Sequence, residues 1–351
     1  TCPTYQILGD ELDSPRGRIY LIKSALEQNQ FTQKSLSHMD RCLTCRSCET
    51  TCPSGVEYGQ LLEIGREIME SKRGKFQTLY RYLVRKALLT PIIFKPIGYF
   101  YRHSKISSKP IKPEIIQSRV LLMGGCVQPS LAPNINHSIK NILAKLNIEV
   151  LESSQGQCCG ALDQHLAASS EAMKKVKRNI DNWISQLDSG VEAIISSASG
   201  CGVMIKDYPK LFKSSDSYFK KALLVSSKTK DIAEFLSNKD LSGLHLSELN
   251  ITYHEPCTMQ HGQQLGGLVE SILSQFGYIK KPVKDSHICC GSAGAYSIFE
   301  TKISNQLRDN KIDNLNASKP NMIVTSNIGC LMHLQKGSSI PVKHWVELLD
   351  V

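Results

Sequence analysis

The sequence predicts an α+β protein in which an N-terminal α-helical domain precedes two repeated α/β units with parallel sheets. Three observations lead to this fold class: four closely spaced cysteines near the start, a cysteine pattern that occurs twice later, and strand and helix signals that alternate within each copy. Such alternation is typical of parallel sheets covered by helices. The predicted divisions are an N-terminal domain over 1–71, a linker over 72–118, and repeat units over 119–240 and 247–351.

Composition limits the class of protein. Of the 351 residues, 41% are hydrophobic and 21% are charged, values that exclude a disordered or coiled-coil chain. No apolar run approaches the roughly 20 residues that cross a bilayer, which excludes an integral membrane channel. The 13 cysteines are odd in number and clustered, whereas disulfide scaffolds belong to short secreted domains. We expect metal ligands in a reducing compartment.

The N-terminal cysteines have the spacing of a bacterial ferredoxin. Two residues separate each neighbouring pair among the first three, and three residues precede the last, which proline follows: Cys42, Cys45, Cys48 and Cys52. This spacing lets a tight loop wrap a [4Fe-4S] cluster. A structural zinc site is the alternative, but zinc motifs normally use two separated cysteine pairs.

In two-cluster ferredoxins the last cysteine of each run binds the other cluster. Cys2, which also precedes a proline, is therefore expected to complete the site of Cys42, Cys45 and Cys48. Cys52 is expected to belong to a second cluster, whose three remaining cysteines would lie upstream of Thr1. We expect the intact protein to hold two [4Fe-4S] clusters, one of them fully represented here.

A helix is expected between the two groups of cysteines, with Ser14 as its cap and Pro15 at its first position. Arg41 and Arg46 lie next to cysteine ligands, where a positive charge stabilises a reduced cluster and raises its potential. The alternative interpretation is that both are ordinary solvated arginines.

The positive charge is concentrated in one segment. Between Lys72 and Arg119 twelve Lys or Arg residues stand against the single acid Glu114, and aromatic residues are interleaved among them, while the whole chain has a net charge of +10. A solvated linker is one interpretation, and contact with an anionic membrane surface is another. No nucleic-acid-binding motif accompanies the segment, and we expect no nucleic-acid partner.

The remainder of the chain repeats itself. Cys126 is followed by 31 residues and then by Cys158 and Cys159, and Cys257 is followed by 31 residues and then by Cys289 and Cys290. Cys201 and Cys330 complete the two sets. A repeat on this scale predicts two similar units packed face to face.

The cysteines of each repeat follow predicted strands. Strands are expected at 120–123, 149–151 and 193–195 in the first copy, and near 251–253, 278–279 and 322–325 in the second. In parallel sheets, ligands bind beyond the carboxyl ends of the strands. The sequence therefore predicts one metal centre in each repeat, with iron-sulfur favoured over zinc. The alternative is that these cysteines are simply buried small hydrophobic side chains.

These motifs, taken together, carry a family resemblance. The chain resembles the iron-sulfur subunit of bacterial glycolate oxidase (glycolate dehydrogenase) in its two Cys-Cys-Gly repeats and in four N-terminal stretches, namely 1–6, 8–12, 14–23 and 40–55. The resemblance implies an oxidoreductase complex in which a flavin subunit with FAD oxidises glycolate or another 2-hydroxy acid. This chain would pass the electrons toward a membrane quinone or another acceptor, in the cytoplasm or at the inner face of the plasma membrane.

Similar cysteine repeats also occur in heterodisulfide reductase and anaerobic glycerol-3-phosphate dehydrogenase subunits, which are the alternative functions. The heterodisulfide form ends each repeat with Cys-x-x-Cys, whereas here the last position is Met204 or His333. Disulfide chemistry is therefore not expected to carry over, and His333 is a candidate nitrogen ligand. A zinc-stabilised scaffold subunit is the non-catalytic alternative. No dinucleotide fingerprint or nucleophile elbow is found, so the substrate is expected to react on another polypeptide.

Overall fold

The computed structural model describes residues 2–100, 103, 106, 109–153, 158–244 and 248–350. Tyr101, Arg102 and Lys105 of the basic segment lie outside the described residues, as does position 247, where the second repeat unit is predicted to begin.

The N-terminal domain is helical, as predicted. The Ser14 side chain accepts a hydrogen bond from the Gly17 backbone N–H, which confirms the predicted cap. The longest two helices of this domain pack closely, because a Cβ at Gly65 would lie 2.6 Å from Cγ1 of Ile22. The helices are α1 (Pro3–Leu8), α2 (Pro15–Gln28), α3 (Gln33–Asp40), α4 (Ser47–Thr50) and α5 (Tyr58–Met69), with 3-10 turns at Glu11–Asp13 and Glu70–Lys72.

Two further helices occupy part of the basic segment, α6 (Lys75–Leu89) and α7 (Pro91–Phe100). Helix α6 is attached to the first repeat by Arg85, whose buried guanidinium lies 3.1 Å from a carboxylate oxygen of Asp163. The segment expected to be a linker is thus packed against the rest of the protein over at least this helix.

The first repeat alternates strands and helices around a four-stranded sheet. Its elements are β1 (Ser118–Leu122), α8 (Gln128–Leu131), α9 (Pro133–Lys145), β2 (Ile148–Glu152), α10 (Ala161–His165), α11 (Ser169–Asp188), β3 (Ala193–Ser196), α12 (Ser199–Lys206), a 3-10 turn (Tyr208–Leu211), α13 (Ser217–Lys228), β4 (Thr229–Asp231) and α14 (Ile232–Leu236). Helices α10 and α11 are separated near Ala167, which has a left-handed backbone with φ of 55°.

The second repeat has the same architecture. Its elements are β5 (Asn250–His254), a π-helical turn (Thr258–Gly262), α15 (Leu268–Gln275), β6 (Ile279–Lys280), α16 (Tyr296–Phe299), α17 (Thr301–Asn316), β7 (Met322–Thr325), α18 (Ile328–Gln335), β8 (Val342–His344) and a 3-10 turn (Trp345–Leu348).

Both sheets are entirely parallel among the described strands, which confirms the predicted fold class. The strand orders are β2-β1-β3-β4 and β6-β5-β7-β8. In each sheet the first strand of the repeat has later strands on both sides, so a crevice opens beyond its carboxyl end, where such sheets bind ligands. Cys126 and Cys201 follow the two central strands of the first sheet, and Cys257 and Cys330 follow those of the second.

The two repeats share one hydrophobic core. Buried residues of β1 and β3, such as Val120 and Ile195, belong to the same cluster as Ile251 of β5 and Ile323 of β7. Polar contacts also join the halves, as where the His344 ring lies 3.0 Å from the Ser197 carbonyl oxygen. The repeats therefore form one packed body on which the N-terminal domain rests.

Candidate metal centres

Four N-terminal cysteines surround one pocket, which is lined by Cys2, Cys42, Cys45 and Cys48 together with Arg18, Tyr58 and neighbouring residues. The loop between the cysteines turns sharply because Thr44 and Arg46 adopt left-handed backbone conformations, with φ of 53° and 59°. These two turns direct the sulfur atoms of one short segment toward a common space.

Cys52 is not among the residues that line this pocket. Its thiol lies instead near the backbone N–H groups of Val56 and Ser54, which lower the pKa of Cys52 below its usual range. Backbone N–H donors of this kind stabilise a thiolate, the form that binds a cluster.

A buried arginine that the sequence analysis missed contacts the same pocket. Arg18 is 1% exposed, and its Nη1 donates to Sγ of Cys2 at 3.8 Å. Its charge is balanced by the buried carboxylate of Asp13 at 3.2 Å. Arg18 shares the buried face of α2 with Ile22 and Ala25, so an arginine on an otherwise apolar helical stripe was the available signal.

The two arginines named from the sequence lie in ion pairs. Arg41 is 3.0 Å from the second carboxylate oxygen of Asp13, and Arg46 pairs with Asp207 of the first repeat. A role for either residue in setting a cluster potential stays a prediction. Through its ion pair with Asp207, Arg46 also attaches the cysteine loop to the first repeat.

The first-repeat cysteines lie in two contacting pairs. Cys126 and Cys158 are hydrogen-bonded, which raises the pKa of Cys126 and lowers that of Cys158 to about 6, the latter with help from Lys175. Cys159 and Cys201 form the other pair. A pocket beside Cys126 and Cys201 is lined by Gly124 and Gly125 of the same repeat. Ile328 of the second repeat also lines it.

The second-repeat cysteines contact one another in the same order, with a further hydrogen bond between Cys289 and Cys290 that joins the two pairs. Sγ of Cys257 lies 3.8 Å from Sγ of Cys289, and Cys290 is hydrogen-bonded to Cys330. Three of these four thiols, those of Cys289, Cys290 and Cys330, are buried. The hydrogen bond to Cys289, together with burial, raises the pKa of Cys257 well above its usual range.

Crowding of this kind favours a metal centre. Several thiols in a dry pocket cannot ionise together without a compensating positive charge, and a bound metal supplies that charge while releasing the protons. The geometry of both repeats therefore fits a metal or iron-sulfur centre. The identity of each ligand stays a prediction.

Two histidines lie near the second set, and their environments differ. The Nε2 atom of His333 lies 3.1 Å from the Ser304 hydroxyl oxygen. The ring of His254 instead has a nitrogen within 4.8 Å of the sulfur atoms of Cys290 and Cys330. His333, the predicted nitrogen ligand, is not part of that group.

The N-terminal pocket and the second-repeat site meet at one boundary. Cys45, Cys257 and Cys289 belong to the same hydrophobic cluster, together with Leu43 of the cysteine loop. Burial, followed by the neighbouring Cys257 and Cys42 thiols, raises the pKa of Cys45 well above its usual range. The two sites are therefore close enough for their sulfur atoms to interact electrostatically.

Comparison with protein families finds matches in three parts of the chain. Residues 1–57 match the 4Fe-4S dicluster domain, and residues 120–206 and 251–335 each match the cysteine-rich domain with the Cys-Cys-Gly motif. The chain therefore contains an iron-sulfur domain followed by two copies of a cysteine-rich domain.

Similar proteins were found along the whole chain. The glycolate oxidase iron-sulfur subunit of Escherichia coli K12 is 43% identical, over 100% of this chain and 90% of the relative. The probable glycolate oxidase iron-sulfur subunit of Bacillus subtilis 168 is 28% identical, over 96% and 86%. Lactate utilization protein A of Bacillus licheniformis is 26% identical, over 66% of this chain and 99% of the relative.

Proposed function

Because this chain belongs to the family of the glycolate oxidase iron-sulfur subunits, we propose that it carries electrons within a flavin-dependent 2-hydroxy-acid dehydrogenase. The electrons come from a flavin subunit and leave toward a membrane quinone. The observation that supports this most strongly is the meeting of two cysteine sites at Cys45 and Cys257, across the boundary between the dicluster domain and the second repeat.

The reaction of the complex fixes what this chain must do. Oxidation of a 2-hydroxy acid to the 2-oxo acid releases two electrons and two protons, which the FAD of the partner subunit accepts. An iron-sulfur cluster, when bound, transfers one electron at a time. The chain's own part is to hold such centres in a fixed order between the partner and the acceptor.

We assign the cluster ligands of the N-terminal domain from the pocket geometry. Cys2, Cys42, Cys45 and Cys48 hold one [4Fe-4S] cluster, and Arg18 donates to the sulfur of Cys2. Cys52 contributes to the other cluster of the dicluster domain, with its thiolate stabilised by backbone N–H groups. Solvent exposure and hydrogen-bond donors around the sulfur atoms set how readily each site accepts an electron.

In the repeats, two further iron-sulfur centres are held by one set of four cysteines each. The paired arrangement of the thiols in both repeats supports this assignment. In the proposed electron path the second-repeat centre follows the N-terminal cluster, since Cys45 and Cys257 pack against the same group of buried hydrophobic side chains.

The acceptor side is proposed to be the cytoplasmic face of a membrane. No described helix is long and apolar enough to span a bilayer. Among the described residues, more than half of the exposed large hydrophobic side chains lie between Phe76 and Ile116, including Ile92 and Phe100 at 85% exposure. Aromatic side chains mixed with lysine and arginine suit the headgroup level of an anionic leaflet.

The proposal is tested with the complex of this chain and its flavin partner, purified anaerobically. Addition of glycolate or D-lactate is expected to bleach the visible absorption of the clusters, and a soluble quinone analogue is expected to restore it. The matched control omits the flavin subunit, where dithionite but not substrate should bleach the clusters. If dithionite reduces the iron but substrate never does in the complete complex, the proposal is wrong.

A further inference from the structure

The residue three positions before the first cysteine differs between the two repeats. In the second repeat it is His254, which ends β5 three residues before Cys257. The residue three positions before Cys126 in the first repeat is Met123. The two repeats therefore present different side chains at matched positions beside their cysteines.

His254 is buried without a polar partner. Its residue is 2% exposed, and neither ring nitrogen finds a hydrogen-bond partner within the described part of the chain. A buried imidazole normally has both nitrogens satisfied, because an unmatched donor or acceptor costs its full desolvation penalty. The His254 ring therefore lies in a buried environment where the described residues provide no hydrogen-bond partner for either nitrogen.

The geometry around the ring identifies what would satisfy it. One ring nitrogen and the sulfur atoms of Cys290 and Cys330 all lie within 4.8 Å of one another. A tetrahedral metal with bonds of about 2.1 Å to nitrogen and about 2.3 Å to sulfur holds its ligand atoms about 3.6 Å apart. The three atoms, within 4.8 Å of one another, are thus grouped on the scale of a single metal centre.

Other polar groups nearby are already occupied. His333 has its Nε2 atom 3.1 Å from the Ser304 hydroxyl oxygen. The Nζ atom of the buried Lys311 donates to the backbone oxygens of Asp285 and Ser286, at 2.7 and 3.2 Å. Of these two histidines, His254 is the one with both ring nitrogens buried and without a partner among the described residues.

We propose that His254 is a nitrogen ligand of the metal centre in the second repeat, which therefore has mixed nitrogen and sulfur ligands, whereas the first repeat offers only sulfur. This inference rests on the proposed function in one respect, namely that the repeat cysteines hold an iron-sulfur centre. The assignment of the imidazole itself rests on the position of His254.

The ligand difference has an electrochemical consequence. A neutral imidazole adds a ligand to the four cysteines without adding negative charge, and a histidine ligand gives an iron-sulfur centre a higher potential than a thiolate at the same position. The potential of the second-repeat centre is therefore expected to depend on His254. This centre is also the one next to Cys45.

The test uses the full chain with histidine labelled with ¹⁵N, isolated anaerobically with its iron and reduced with dithionite. Pulsed electron paramagnetic resonance is expected to show hyperfine coupling of the strength of a directly bound histidine nitrogen. The variant His254→Met, which copies the first repeat, should lose this coupling. The matched control His333→Gln alters the neighbouring histidine and should keep it.

A second variant replaces the histidine by another metal ligand, so that the metal site itself is retained. His254→Cys offers a soft ligand of similar reach and should retain wild-type iron content, lose the nitrogen coupling and shift the potential of the centre downward, because a thiolate adds negative charge. Coupling that is absent from the wild-type protein, or that persists in both His254 variants, overturns the inference. A wild-type chain without iron would instead overturn the proposed function, so the two failures are distinguishable.

Discussion

The guanidinium of Arg46 forms an ion pair with the carboxylate of Asp207, and this contact joins the cysteine loop of the dicluster domain to the first repeat. Arg46 lies between Cys45 and Cys48 and is itself part of the pocket lining, so the pair fixes the loop that carries two predicted ligands. The side chains are 16% and 20% exposed, which distinguishes the pair from an ordinary surface contact.

We expect the Arg46–Asp207 pair to contribute about 1–3 kcal/mol of coupling energy, since it is partly buried. The measurement is a double-mutant cycle with Arg46→Ala and Asp207→Ala, followed by anaerobic urea unfolding. Lys23 and Glu27 form the control pair, since they are 66% and 61% exposed and are expected to contribute less than about 1 kcal/mol. Equal coupling energies for the two pairs would contradict the docking role.

Arg18 is expected to raise the potential of the neighbouring cluster. A unit charge about 6 Å away, at an effective dielectric constant of about 20, contributes roughly 2–3 kcal/mol, or about 100 mV for one electron. Arg18→Met should therefore lower the midpoint potential of the cluster at Cys2 by about that amount, while Arg18→Lys should keep most of it. Redox titration followed by electron paramagnetic resonance gives both values, and identical potentials in wild type and Arg18→Met would refute the effect.

The pH dependence of stability should carry a contribution from His344. Burial lowers the pKa of His344 to about 4, compared with about 6.5 in an unfolded chain. Between these values the unfolded state binds more protons, so the stabilising effect is complete above pH 6.5 and is lost as the pH falls toward 4.

Urea unfolding of the anaerobic protein measures this effect. Between pH 7 and pH 5 the wild type should lose about 2 kcal/mol more than His344→Gln, whose amide can still donate to the Ser197 carbonyl oxygen. The same pH dependence in both proteins would show that His344 is not responsible.

Substitution by alanine should destabilise the protein to different extents at the glycines of the two Cys-Cys-Gly motifs. Gly291 has φ of +88°, and a Cβ there would lie 2.6 Å from the Ser304 carbonyl oxygen. At Gly160 φ is +91°, but the nearest atom would be 3.4 Å away. Gly291→Ala should therefore cost about 3 kcal/mol or more, and Gly160→Ala about 1–2 kcal/mol, in unfolding experiments. A larger loss for Gly160→Ala would contradict the packing described for the second repeat.

Contact with a membrane is expected to depend on the exposed side chains of α6 and α7. Replacing Phe76 and Phe100, which are 83% and 85% exposed, by serine should reduce binding to vesicles with anionic lipid several-fold in a sedimentation assay. Leu223→Ser with Leu224→Ser is the control, since these exposed leucines lie on α13 of the first repeat and should not affect binding. Unchanged binding of the Phe76 and Phe100 variant would exclude this surface.

Much of the fold could be predicted from the sequence, because periodicity and repetition are local signals. The strand at 322–325 lies where the pattern placed it. The fourth strands, β4 and β8, were missed because their sequences, Thr-Lys-Asp and Val-Lys-His, contain at most one apolar residue and so lack the apolar signal of a strand.

The candidate sites were predictable only in part. The spacing of the cysteines identifies them in the sequence. Arg18 and His254 have no such local signal, because their roles depend on contacts with residues that are distant in sequence. Arg18 reaches Cys2 from another helix, and His254 meets Cys290 and Cys330 from a neighbouring strand. The spacing that drew attention to His333 is a local feature, while its bond to Ser304 is a tertiary one.

The most direct test of the account is the iron, zinc and acid-labile sulfide content of the full chain purified without exposure to oxygen. The account predicts a brown protein in which iron and sulfide are present in nearly equal amounts and zinc is negligible. A colourless protein that contains zinc, or no metal, would contradict it.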